Sequence, residues 1–128
     1  MTYIPVSLRK RDAFDQAVYE AGTKERRRRI RVAVWAYSYE NLAASIVSDA
    51  KFDKTCLQIN LAVDTADAEM DTWFRKNFHP DTGQWIHSYP HPQQGILHVR
   101  AVKLCKALKI RCEPDRDLAR LKKLGDKF

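Results

Sequence analysis

The sequence predicts a mainly α protein, one compact helical domain over residues 1–128. Two observations predict it. Almost every apolar pattern recurs at the i, i+3, i+4 spacing of a helix face rather than in alternation. The residues that interrupt helices are gathered in one stretch, with three Pro and two Gly between His79 and Gly95. A chain of 128 residues with 45% hydrophobic content can also bury a core without disulfide or metal staples.

The elements follow in order. "RKRDAFDQAVYEAG" sets Phe14, Ala17, Val18 and Ala21 at helical spacing and reaches Gly22, a residue suited to a left-handed helix end. A second helix, residues 23–42, then opens at Thr23 as N-cap, with Ile30, Val34, Tyr37 and Asn41 on one face and Arg31, Trp35 and Tyr39 on another. Ser48 caps a third helix over residues 49–60, whose Phe52, Cys56 and Ile59 share a face. Thr65 or Asp67 caps a fourth, with Met70, Trp73, Phe74 and Phe78 pointing inward. In the Pro- and Gly-rich loop that follows, "QWIHSY" reads as a short β element. Residues 96–110 form an amphipathic helix with Leu97, Ala101, Leu104 and Leu108 on its apolar side. A last helix starts at Pro114 and closes at Gly125. The expected core is Phe14, Ile30, Val34, Tyr37, Phe52, Ile59, Trp73, Phe74, Leu97, Leu104 and Leu108.

The net charge of +7 is unevenly spread. Residues 1–31 carry 9 basic and 4 acidic groups, residues 32–85 carry 4 and 8, and residues 86–128 carry 10 and 4. Basic ends around an acidic middle suit either nucleic acid or an acidic surface of a nucleic-acid-processing complex. The residues for that contact are Arg26, Arg27, Arg28, Arg29 and Arg31 in "RRRRIR", and Arg100, Lys103, Lys106 and Lys109 along the basic side of the helix at 96–110. For a protein partner, Arg29 and Trp85 are the expected anchors.

Other chemistry finds little footing. Cys56, Cys105 and Cys112 are odd in number and lack C-x-x-C spacing, so reduced thiols are expected. His87 and His91 are separated by Pro90, and no metal site is expected. There is no glycine-rich phosphate loop. The apolar runs are shorter than the roughly 20 residues of a membrane span, and the N-terminus lacks a signal-peptide core. A cytoplasmic protein is expected.

"YENLAASIVSDAKFD", residues 39–53, places two carboxylates one helical turn apart behind the aromatic run "WAYSYE". This stretch resembles the N-terminal helical domain of NAD-dependent DNA ligases, which recognises the nicotinamide mononucleotide half of NAD. The family pattern is a tyrosine-histidine pair, a short loop, then proline or serine followed by Asp-Ala-Glu-Tyr-Asp. Tyr39 falls on the first tyrosine, Ser48, Asp49 and Ala50 on the helix start, and Asp53 on the last carboxylate. Glu40 stands in place of the histidine and Phe52 in place of the second tyrosine. The likeness runs from the second predicted helix into the third, as a ligase-like helical hairpin over residues 23–60, and ends by Leu61.

The resemblance implies that Tyr39, Glu40, Asp49, Phe52 and Asp53 surround a nucleotide, so NAD or nicotinamide mononucleotide is the cofactor it suggests. The wider group it points to is the small ligase-related proteins of bacteria and their viruses. The ligases transfer AMP through a lysine in Lys-x-Asp-Gly within a separate domain, and "KFDK" at 51–54 has no glycine. The expectation is therefore a non-catalytic nucleotide- or nucleic-acid-associated module. The alternative is a small phage or prophage interaction factor, an inhibitor of a host nucleic-acid or defence complex, reusing the same fold.

Overall fold

The computed structural model describes residues 13–87 and 94–113. These form four α-helices and one short 3-10 turn, with no strand among the described residues. The protein is mainly α. The helix expected from Pro114, and residues 9–12 of the first predicted helix, lie outside the described residues.

The first two predicted helices are one. Helix α1 runs Ala13–Leu42 without interruption, a rod of about 45 Å. Gly22 does not end it. A Cβ built on Gly22 would sit 2.9 Å from the backbone oxygen of Asp64, so glycine here admits the 62–66 loop against the helix. Thr23 does not cap a helix either, since its Oγ1 donates to Tyr19 O one turn back at 2.9 Å. The C-terminal half of α1 is the centre of the molecule. Val32, Ala33, Val34, Trp35, Ala36, Tyr37 and Ser38 are all buried. The helix stops where Ala43 turns left-handed at φ 51, and Ala44 N donates to Ser38 O at 2.9 Å.

Helix α2 (Asp49–Gln58) begins at Ser48, whose side chain accepts from Lys51 N at 3.2 Å. Helix α3 (Ala68–Asn77) begins at Asp67, which accepts from Met70 N at 3.1 Å. Its Met70, Trp73 and Phe74 point into the core. Phe78 and Trp85 complete an aromatic cluster with Phe74, the Phe78–Trp85 and Phe74–Trp85 ring centroids lying 5.1 and 5.6 Å apart.

Of the expected β element, residues 84–89, the described part is a 3-10 turn, Gln84–His87, and residues 88–89 lie outside the described residues. Ile86 N donates back to Gly83 O at 3.2 Å, and Trp85 and Ile86 are both buried beside α1. An alternating pattern needs a neighbouring strand to pair with, and the described residues supply none. Helix α4 (Gln94–Ala107) packs on α1 through Leu97, Ala101 and Cys105. It ends two residues before Lys109, which is left-handed at φ 56, and Ile110 N donates to Cys105 O at 2.8 Å.

Two expected core residues are outside the core. Phe14 is 74% exposed, at the rim of a cleft between α1 and the 64–66 loop, and Leu108 is 50% exposed because α4 has already ended. One group expected at the surface is instead at the centre. Arg29 is fully buried: Nη1 meets Asp71 Oδ1 at 2.6 Å, and Nη2 donates to Asn60 O and Val63 O, each at 2.8 Å. Glu25, one turn earlier, lies 3.7 Å from Arg29 Nε and accepts from Asn60 N at 2.7 Å. Asp71 in turn accepts from Thr65 N at 2.9 Å and Thr65 Oγ1 at 2.6 Å. This buried set ties α1, the 60–65 loop and α3 into one unit.

Candidate functional site

A cavity of about 250 Å³ opens between the C-terminal part of α1, the 45–47 turn, the start of α2 and the 82–83 turn. Its walls include all five residues singled out from residues 39–53: Tyr39 and Glu40 from α1, and Asp49, Phe52 and Asp53 from α2. Local chemistry explains the convergence. The left-handed turn at Ala43 reverses the chain at the end of α1, and the Ser48 cap starts α2 within a few residues. The first turns of α2 therefore face the last turns of α1.

Each wall has its own character. Tyr39 is 61% exposed and stands at the mouth. Phe52 is half-buried and packs against the hydrophobic core from the other side. Trp35 forms part of the floor, with the Lys51 ammonium 5.8 Å from its ring centroid. The Thr82–Gly83 turn closes one edge. A Cβ on Gly83 would lie 3.4 Å from the Ala36 Cβ and 3.5 Å from Phe52 Cζ, which leaves little room for a larger residue.

The polar groups are acidic. Asp49 and Asp53 are exposed carboxylates one turn apart, and neither has a hydrogen-bond or ion-pair partner among the described residues. The helix cap is supplied by Ser48, so capping does not occupy Asp49. Glu40 is half-buried, with Oε2 3.1 Å from His87 Nε2. Behind the wall, burial and the neighbouring Asp53 charge push the Cys56 thiol up to about 11. At neutral pH it is a protonated, buried hydrophobe. Among the described residues no group of three His, Cys, Asp or Glu side chains could hold a metal ion.

The basic residues divide. Arg26, Arg27 and Arg31 are exposed on α1, and Arg100, Lys103, Lys106 and Lys109 are exposed on or just after α4. Arg28 is partly covered, donating from Nη1 to Glu25 Oε2 and Gln58 O, each at 3.3 Å. Arg29 is withdrawn altogether, and as a contact for nucleic acid or a partner it is corrected: its guanidinium is enclosed by Asp71 and two backbone carbonyls. Trp85, the other expected anchor, is only 4% exposed and belongs to the aromatic core. Arg27, Arg31, Arg100 and Lys103 share the rim of a single groove between α1 and α4.

The 82–83 turn and Trp35 are the site residues that sequence reasoning missed. Thr82 and Gly83 fall in the Pro- and Gly-rich loop, and the apolar Trp85 and Ile86 just after them, both buried, anchor that turn to the core. Arg29 also left a signal, since it lies three, four and seven residues before the apolar Val32, Ala33 and Ala36 and so shares their inward face. No helix among the described residues is long and apolar enough to cross a membrane. No protein-family model, curated protein or solved structure matches the chain.

Proposed function

We propose that this protein is a nucleotide-recognition module whose cavity between α1 and α2 takes a single nucleoside with a cationic aromatic base, the nicotinamide nucleoside being the type that fits. The observation that carries the reading is the meeting of Tyr39, Glu40, Asp49, Phe52 and Asp53 on one cavity of about 250 Å³. That volume falls just below the roughly 300 to 1,000 Å³ of drug-sized ligand sites, and suits one nucleoside better than a dinucleotide.

The chemistry agrees with the size. Aromatic side chains at Tyr39 and Phe52 can pack on a planar ring, and three carboxylates around them favour a ring that carries positive charge. The unpartnered Asp49 and Asp53 can accept hydrogen bonds from ribose hydroxyls. The same acidic wall disfavours phosphate close by, so the phosphate of a mononucleotide would point out to solvent. The resemblance of residues 39–53 to the nicotinamide mononucleotide-recognising domain of the ligases supports the same assignment. Because "KFDK" lacks the glycine of Lys-x-Asp-Gly, and Phe52 and Asp53 within it line the cavity, the module binds without transferring AMP.

Titration of isotope-labelled protein with nicotinamide mononucleotide, followed by amide NMR, tests the reading. Shifts clustered at Tyr39, residues 45–53 and Gly83 are expected. Saturating shifts elsewhere, or none, would count against it.

A further inference from the structure

We propose that the groove between α1 and α4 is a docking site for an acidic amphipathic helix of a partner protein. It has a volume of about 560 Å³ and is separate from the cavity that holds Tyr39, although Trp35 borders both. Its floor is apolar: Ile30, Val34 and Trp35 from α1, and Leu104 and Ala107 from α4. Its rim is basic. Arg27 and Arg31 stand one turn apart on α1, Arg100 and Lys103 three residues apart on α4, and no carboxylate lies among the lining residues. None of the four rim cations forms an ion pair with another described residue.

The occupant follows from floor and rim together. An apolar floor between two helices, flanked by unpaired cations on both sides, is complementary to a helix with an apolar stripe and acidic flanks. Nucleic acid fits less well. Phosphates would satisfy the rim but gain nothing from an aliphatic floor, and base stacking needs an open aromatic face. Trp35, the one aromatic in the groove, is 8% exposed and already has Lys51 near its ring. The chain's own ends lack the required charge. Residues 1–12 carry three basic groups and one acidic, and residues 114–128 carry five and three. A second copy, at net +7, would approach against like charge.

The test uses fluorescence anisotropy with the full chain and three labelled probes. The first is a synthetic helix with leucines at i, i+3, i+4 and i+7 and glutamates on its other sides. The second has the same composition with the leucines scattered around the helix. The third is a single-stranded DNA oligonucleotide. At near-physiological salt the striped peptide is expected to bind about tenfold or more tightly than the scattered one. Arg31→Glu combined with Arg100→Glu should weaken it by a further factor of about ten, and Ala107→Glu, an exposed floor position, should do the same without altering the melting curve. Three results would overturn the proposal: equal binding of both peptides, no peptide binding by the folded protein, or an oligonucleotide bound more tightly than either peptide and released by Arg31→Glu with Arg100→Glu. The last would make the groove a phosphate-binding surface instead.

Discussion

Arg29 Nη1 lies 2.6 Å from Asp71 Oδ1, and both side chains are withdrawn from water. An ion pair in this setting adds little over a well-packed apolar pair, but removing one member leaves the other charge buried and uncompensated. Here the loss would be compounded. Glu25 and the carbonyls of Asn60 and Val63 also face the guanidinium. Arg29→Ala is therefore expected to destabilise the fold by about 3–5 kcal/mol, measured by urea unfolding. Arg27→Ala, two residues away and exposed, should change stability by no more than about 0.5 kcal/mol. Equal effects of the two would show that the buried set does not hold the helices together.

The same carboxylate sets a pH response. Burial alone would raise the pKa of Asp71, but hydrogen bonds from the Thr65 hydroxyl and amide, with the charges of Arg29 and Arg75, hold it below its ordinary 3.8. A carboxylate depressed in the folded state binds its proton more weakly there than in the unfolded chain. Its contribution is present above the unfolded value of about 4 and is lost as pH falls through the folded value. Asp71→Asn should lower stability at neutral pH and flatten the loss of stability on acidification below about pH 4. A parallel pH profile for wild type and variant would exclude Asp71 as a source of acid sensitivity.

Gly22 offers a test in which two effects oppose each other. In an ordinary helix interior Gly→Ala stabilises by about 1 kcal/mol. At this position the new Cβ would stand 2.9 Å from Asp64 O, a backbone atom that cannot swing aside. Overpacking of that kind costs about 1–3 kcal/mol, so Gly22→Ala should lower the melting temperature. A rise would mean that the 62–66 loop is not held against α1.

Helix existence was legible in the sequence because apolar spacing and caps pointed the same way, as at Ser48 with Phe52 and Cys56, and at Asp67 with Met70 and Phe74. Helix ends were less legible. Gly22 carries an end signal but is used for close approach, and Lys109 ends α4 through a conformation that lysine does not advertise. Charge misled for a related reason. Arg29 sits in a run of four arginines, and only its register with Val32, Ala33 and Ala36 shows that it turns inward. The residues of the candidate site were legible as a local stretch, 39–53, since a helix, a short reversal and a capped helix must fold back on themselves. Thr82 and Gly83 came to that site from far along the chain, placed there by the burial of Trp85 and Ile86.

The most direct measurement of the central claim is titration calorimetry of the intact protein with nicotinamide riboside, in parallel with the reduced riboside, whose ring has the same outline and no positive charge. Wild type is expected to bind the cationic form with measurable heat and the neutral form about tenfold or more weakly. Asp49→Ala and Asp53→Ala, both at exposed positions, should each abolish the cationic binding while leaving thermal unfolding unchanged. Binding that is absent in wild type, or indifferent to ring charge and to both substitutions, would contradict the assignment of this cavity to a nucleoside.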